Sequence, residues 1–209
     1  MIAVEIDRDL AGLIRDRFGD RITLVEGDCL AKGRRLSPEA VSALEGAEFK
    51  LVANLPYQAA SPLMASLLMH HPECSGQWVT IQKEVVDRLV ANPGTKAWGP
   101  LTAIVRAFAS ARRIALLPPG CFWPAPKVTS AMAELVPCAS DSRPGDPDGF
   151  ARFVTKLLSQ RRKQIGGILG HDITTSLGIE SQTRAETLDA GQLLELRDHL
   201  PADHHLMQP

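Results

Sequence analysis

Apolar and polar positions switch period repeatedly along the first two-thirds of the chain. Ile2-Ala3-Val4-Glu5-Ile6 is a short, mostly apolar run of strand character, and in residues 7–18 the apolar positions Leu10, Leu13, Ile14 and Phe18 fall at helical spacing. Residues 22–26 read as a second strand closed by Gly27-Asp28. Ser37 followed by Pro38 predicts the start of a short helix over 38–44. Residues 49–53 form a third strand ending at Asn54, 62–69 a helix, 78–82 a fourth strand and 84–90 another helix. In 100–109, Leu101, Ile104, Val105 and Phe108 make one helical stripe. Residues 113–117 and 130–136 read as a closing strand pair around a proline-rich loop. Strands alternating with helices predict an α/β body with a largely parallel sheet.

The stretch 137–149 (PCASDSRPGDPDG) is rich in turn-forming residues and reads as a linker. Beyond it the pattern is helical only. The expected division is therefore 1–137 for the α/β body, 138–148 for the linker and 149–209 for a small α-helical domain. The composition, with 209 residues, 44% hydrophobic and 22% charged, is that of an ordinary globular chain. A net charge of −1 gives no global attraction for polyanions, so any such surface must be local. Cys29, Cys74, Cys121 and Cys138 form no C-x-x-C pair and fit free thiols of a reducing cytoplasm. The pairs His70-His71 and His204-His205 read as solvated rather than as ligands, and no metal is expected. No run reaches the ~18 apolar residues of a membrane span, and the N-terminus lacks the pattern of a signal peptide.

Ligands of open α/β sheets bind at the carboxyl ends of the strands. Here those ends carry Glu5 and Asp7, Asp28, Asn54, and Gln82 with Lys83. On position alone, turn and helix-cap roles for Asp28 and Asn54 stand beside the functional one.

The tetrapeptide Asn54-Leu55-Pro56-Tyr57, directly after a strand, shifts that balance. It resembles the motif of amino-group methyltransferases. With Ser61-Pro62-Leu63 shortly after, it looks like the KsgA-type ribosomal RNA adenine N6,N6-dimethyltransferases more than the erythromycin-resistance methylases. Five further segments resemble that family in the same order: the acidic stretch 4–10, Glu26-Gly27-Asp28, the 82–89 run QKEVVDRL, the loop FWPAPKV over 122–128, and Gln160-Arg161-Arg162-Lys163 on an expected helix. Agreement runs through about Gly170 and loosens towards Leu200.

The resemblance implies a Rossmann-like methyltransferase sheet, S-adenosylmethionine as methyl donor, and adenine N6 of small-subunit ribosomal RNA as target. It implies catalytic roles for Asn54, Leu55, Pro56, Tyr57 and Phe122, with Trp123 as an alternative to Phe122 for packing or stacking. Glu5 resembles the ribose-binding acid and Asp28 the residue on the cofactor adenine, with Ile6, Cys29 and Leu30 lining that pocket and Asn54 shared between cofactor and target. RNA contacts are expected from Arg112, Arg113, Lys127, Arg161, Arg162 and Lys163, where basic residues gather. The expected partner is the small ribosomal subunit, bound by a cytoplasmic monomer.

The chain departs from the family in one respect. A methyltransferase sheet has an earlier strand and a glycine-rich turn, which would lie between the strands 2–6 and 50–53, and no such segment precedes Glu5. An N-terminally truncated sheet is therefore expected, with unpaired strand edges and weak or no methyl transfer by this chain alone. A non-catalytic RNA-binding or ribosome-assembly factor, or an inactive fragment, is the alternative. A DNA adenine methyltransferase fits the tetrapeptide but neither the 122–128 loop nor the 160–163 segment.

Overall fold

The computed structural model describes residues 1–201 and 203–208. Strand β1 (Ile2–Glu5) leads into α1 (Arg8–Phe18), whose first turn is capped by the Asp7 carboxylate accepting from the Asp9 and Leu10 amides. Next come β2 (Thr23–Glu26), α2 (Pro38–Leu44, capped by Ser37), β3 (Phe49–Asn54), α3 (Tyr57–His70) and β4 (Cys74–Gln82). Then α4 (Lys83–Leu89) and α5 (Pro100–Phe108) lead to β5 (Ala109–Leu117) and β6 (Ser130–Pro137). The rest is helical: α6 (Pro147–Ser159), α7 (Gly166–Leu169), α8 (His171–Ser176) and α9 (Ala190–His199).

The strands form two separate sheets. β1 and β2 are parallel, and a second sheet runs β3-β4-β6-β5, with β3 parallel to β4 and β6 antiparallel to both of its neighbours. Among the described residues β1 and β3 are each paired along one edge only, the open edges anticipated from the sequence. The strand β3 alternates cleanly. Phe49, Leu51 and Ala53 pack on the core, whereas Val52 on the other face is 78% exposed.

On that open face a ladder crosses three strands. Trp78, Glu134 and Arg112 occupy successive paired positions. The Trp78 indole N–H donates to Glu134 at 3.0 Å, Arg112 pairs with the same carboxylate, and Lys50 lies over the Trp78 ring. Hydrogen bonding from Arg112 holds the Glu134 carboxyl below its ordinary pKa.

Three features differ from the sequence expectation. The helix expected over 62–69 begins five residues earlier, with Pro62 inside it. Its missing N–H frees one carbonyl near the exposed Gln58, where water can serve instead. The segment 160–163 is not helical. α6 ends at Ser159, and Gln160 to Lys163 form a tight turn closed by Lys163 N–H donating to the Gln160 carbonyl. His70 and His71 are largely covered rather than solvated: His70 lies 3.4 Å from Asp148 and His71 lies 2.8 Å from Glu73. Burial, then the nearby Arg35, keeps the His70 pKa low.

The linker is a junction with bonds of its own. Asp146 caps α6 through the Gly149 amide and pairs with Arg197 of α9 at 2.7 Å, while Asp148 pairs with Arg35 at 2.5 Å. Behind it the core is continuous. Phe150 and Phe153 of α6 and Leu193 and Leu196 of α9 belong to the same buried cluster as Met64, Val105, Phe108 and Leu135.

Two adjacent glycines give a test of local packing. A Cβ on Gly166 would lie 2.7 Å from Ser181 Cβ and 3.0 Å from its carbonyl oxygen, whereas Gly167 faces open space. Gly166→Ala is expected to destabilise the protein by about 1–3 kcal/mol through overpacking. Gly167→Ala is expected to stabilise it by about 0.5–1 kcal/mol through helix propensity. Urea melts of the two variants should move in opposite directions.

Candidate active site

Because β3 and β4 are parallel, their carboxyl ends share one edge of the sheet. The antiparallel pair β5–β6 brings its connecting loop, residues 118–129, to that same edge, since Gln82 pairs with Ser130 and Ser130 with Leu117. The tetrapeptide Asn54-Leu55-Pro56-Tyr57 and the 118–129 loop are thus neighbours by topology. The loop is tied down where it ends, by the Lys83 amide donating to the Thr129 carbonyl at 3.0 Å.

Asn54 is the last residue of β3, paired with Thr80, and its side chain is exposed. The Leu55 amide donates to the Thr80 carbonyl at 3.0 Å, and the Leu55 side chain is buried in the core. This pins the turn from both sides. Pro56 follows in an extended conformation (φ −63°, ψ 138°) as the residue before α3, and its carbonyl accepts from Ala59 and Ala60. Neither the Asn54 side-chain amide nor the Leu55 carbonyl has a hydrogen-bond partner among the described residues, so two acceptors on adjacent residues are unengaged there. Tyr57 opens α3 and is 42% exposed. Phe122 is half-buried, in extended backbone, and Trp123 beside it is 98% exposed. Sequence reasoning missed Thr80, whose carbonyl holds the turn; only the paired register reveals it.

At the other sheet, Glu5 pairs with Glu26 and the Gly27 amide donates to the Glu5 carbonyl at 2.9 Å. Gly27 takes φ 145°, a conformation that side chains resist, and it turns the chain into Asp28. One Glu5 oxygen accepts from the Asp7 amide at 2.8 Å, and one Asp28 oxygen from the Leu30 amide at 2.9 Å. The second Glu5 oxygen has no hydrogen-bond partner among the described residues, whereas the Asp28 carboxylate is also engaged by the Cys29 thiol. Glu26 instead pairs with Arg15. Cys29 is half-buried; burial, then the Asp28 charge, pushes its thiol pKa up. Ile6 is 67% exposed. These acceptors suit hydroxyls and an amino group, but with Ile6 beside them in solvent they offer such a ligand little cover. Calorimetric titration with S-adenosylmethionine is expected to show binding weaker than about 1 µM, the affinity that takes roughly 8 kcal/mol; micromolar or tighter binding would contradict that.

The six basic residues fall into two groups. Arg112 is engaged by Glu134, Arg113 by Asp87 at 3.0 Å, and Arg161 by Glu186 at 2.9 Å and the Trp98 carbonyl at 3.1 Å. Lys127, Arg162 and Lys163 make no ion pair among the described residues; Lys163 reaches the Gln160 side chain at 3.0 Å. Among the described residues no group of three His, Cys, Asp or Glu could hold a metal ion, and no helix is long and apolar enough to cross a membrane.

The family model for ribosomal RNA adenine dimethylases matches residues 1–201. The chain belongs to that family. It is 33% identical to ribosomal RNA small subunit methyltransferase A of Erwinia tasmaniensis, across 97% of this chain and 75% of that protein. Identity to the protein of the same name from Burkholderia thailandensis is 36%, across 93% of this chain and 71% of that one. The fold is also that of a dimethyladenosine transferase from Plasmodium falciparum (TM-score 0.76, 22% identity, 93% of this chain and 79% of that one). A 23S ribosomal RNA methyltransferase, ErmE, is similar at TM-score 0.62 and 20% identity, covering 94% of this chain and 80% of that chain. The Rossmann-like methyltransferase sheet expected from the sequence is thus the observed fold class, in two pieces.

Proposed function

We propose that this chain transfers methyl groups from S-adenosylmethionine to the N6 amine of adenines in small-subunit ribosomal RNA, during ribosome biogenesis in the cytoplasm. The observation that carries this reading is the pair of free acceptors, the Asn54 amide oxygen and the Leu55 carbonyl, at the carboxyl edge of the sheet. An N6 amine has two N–H bonds and a lone pair delocalised into the ring. Accepting both N–H bonds holds the nitrogen and favours the tetrahedral, cation-like geometry that develops as it attacks. Pro56 lacks an N–H and has a fixed φ, which keeps the turn in shape. Tyr57 offers a face for the adenine ring and Phe122 a second one; stacking is worth about 1–3 kcal/mol per base and offsets part of the cost of unstacking it. Glu5 and Asp28 would hold the ribose and adenine of the donor, beside Ile6 and Cys29. When bound, the donor supplies a methyl group on a sulfonium, so the chain's own task is placement rather than strong base catalysis.

The division into a catalytic part at 1–137, a junction at 138–148 and a helical RNA-contacting part at 149–209 belongs to the same proposal. The test is transfer of labelled methyl from S-adenosylmethionine, at millimolar concentration, to unmodified small-subunit RNA or subunits. Label in small-subunit RNA but not large-subunit RNA is expected; no transfer to either would favour a non-catalytic binding role.

Free cations, rather than paired ones, should carry the phosphate contacts. Lys127→Gln and Arg162→Gln are each expected to lower the slope of log affinity against log salt by about one. Arg112→Gln is expected to change it less, because its guanidinium already serves Glu134. Filter binding across a salt series separates the two classes.

A further inference from the structure

We propose that Trp123 is a second base-stacking platform, for an unpaired nucleotide flanking the target adenine; this rests on the RNA reading above. At 98% exposed, Trp123 has the largest apolar ring of any residue type in open solvent, in a chain with 5% aromatic residues. The extended backbone at Phe122 (φ −128°, ψ 153°) sends successive side chains to opposite sides. Phe122 therefore turns inward, half-buried, and Trp123 outward. The loop 118–129 contains Pro118, Pro119, Pro124 and Pro126, which restrict the backbone, so presenting the ring costs little further ordering. The same loop has no acidic residue, and its Lys127 is exposed and free of ion pairs among the described residues. The loop arises at the sheet edge that holds Asn54 and Tyr57. An indole face with a free cation, beside a pocket for one extruded adenine, matches a single strand whose neighbouring base is also unstacked. A protein partner would need an apolar cleft for the indole, not an adjacent lysine.

Trp98 is buried but Trp78 is only half-covered, so the Trp123 signal is the part of the iodide-quenchable tryptophan emission that disappears in Trp123→Phe. Titrating the full chain with a short single-stranded, adenine-containing RNA is expected to quench this emission and protect it from iodide. The same sequence as a duplex, with no free base face, is expected to do neither. Trp123→Leu should weaken single-strand binding about tenfold, within the range of base–aromatic stacking, and Trp123→Phe should restore most of it. RNA that binds by anisotropy with unchanged Trp123 emission overturns the proposal and leaves the methyltransferase reading intact. Absence of any RNA binding overturns both. If Trp123→Leu spares RNA affinity but weakens binding to protein-containing subunits, the platform takes a protein and the proposal fails.

Discussion

Replacing Asn54 with alanine should lower kcat for methyl transfer by about 10²- to 10³-fold, the loss seen when one positioned electrostatic partner of a transition state is removed. The fold should be almost untouched. The Asn54 side chain is exposed and makes no hydrogen bond among the described residues, and the turn is held by the Leu55–Thr80 backbone bond and the buried Leu55 side chain. Asn54→Ala removes an acceptor without opening a cavity, so its thermal midpoint should stay close to that of the wild type. The rate is to be measured at saturating RNA and millimolar S-adenosylmethionine, so that donor affinity does not enter. A rise in KM for RNA alone, with kcat unchanged, would assign Asn54 a binding role only. Asn54→Asp is a sharper probe. It keeps an acceptor, adds a charge, and should retain more activity than alanine.

Phe150→Ala is expected to be the most destabilising of the single substitutions considered. Phe150 is fully buried and meets Phe108 of α5 edge-on, with ring centroids 6.4 Å apart and planes at 72°. Removing such a ring from a packed core costs about 3–5 kcal/mol, or on the order of 10 °C in a chain of this size. Because its partner lies in the α/β body, the loss should be felt by the whole chain. Calorimetry should show one transition, lowered as a unit. Two separate transitions, with only one moved, would make the segment 149–209 an independent domain, as the composition of 138–148 suggests on its own.

Much of the fold was legible because its signals are local. Ser37 with Pro38 gives the N-terminus of α2 to the residue, and Asp7 caps α1 where the helical spacing begins. The features that sequence reading missed depend on residues far apart. Arg161 sits where basic residues gather along the chain, yet Glu186 reaches it from beyond α8. Asp146 and Asp148 looked like linker polarity and instead pair with Arg197, Arg35 and His70. Pro62 suggested a helix start, but six helical residues precede and include it, so the motif's Tyr57 is the first residue of a helix rather than part of a loop. At the candidate site, the tetrapeptide revealed the acceptors, but only the register of β3 on β4 and of β5 on β6 sets the 118–129 loop beside them. The outward turn of Trp123 has no sequence signal, because packing and stacking favour the same residue type.

On the proposed function, the Asn54–Leu55 acceptors direct a methyl group to adenine N6. Mass spectrometry of nucleosides from unmodified small-subunit RNA, treated with this chain and millimolar S-adenosylmethionine, tests it directly. N6-methylated adenosine is the expected product, and it is lost with Asn54→Ala. Methylation at a ring nitrogen, a carbon or a ribose hydroxyl, or N6 product undiminished in Asn54→Ala, would contradict it.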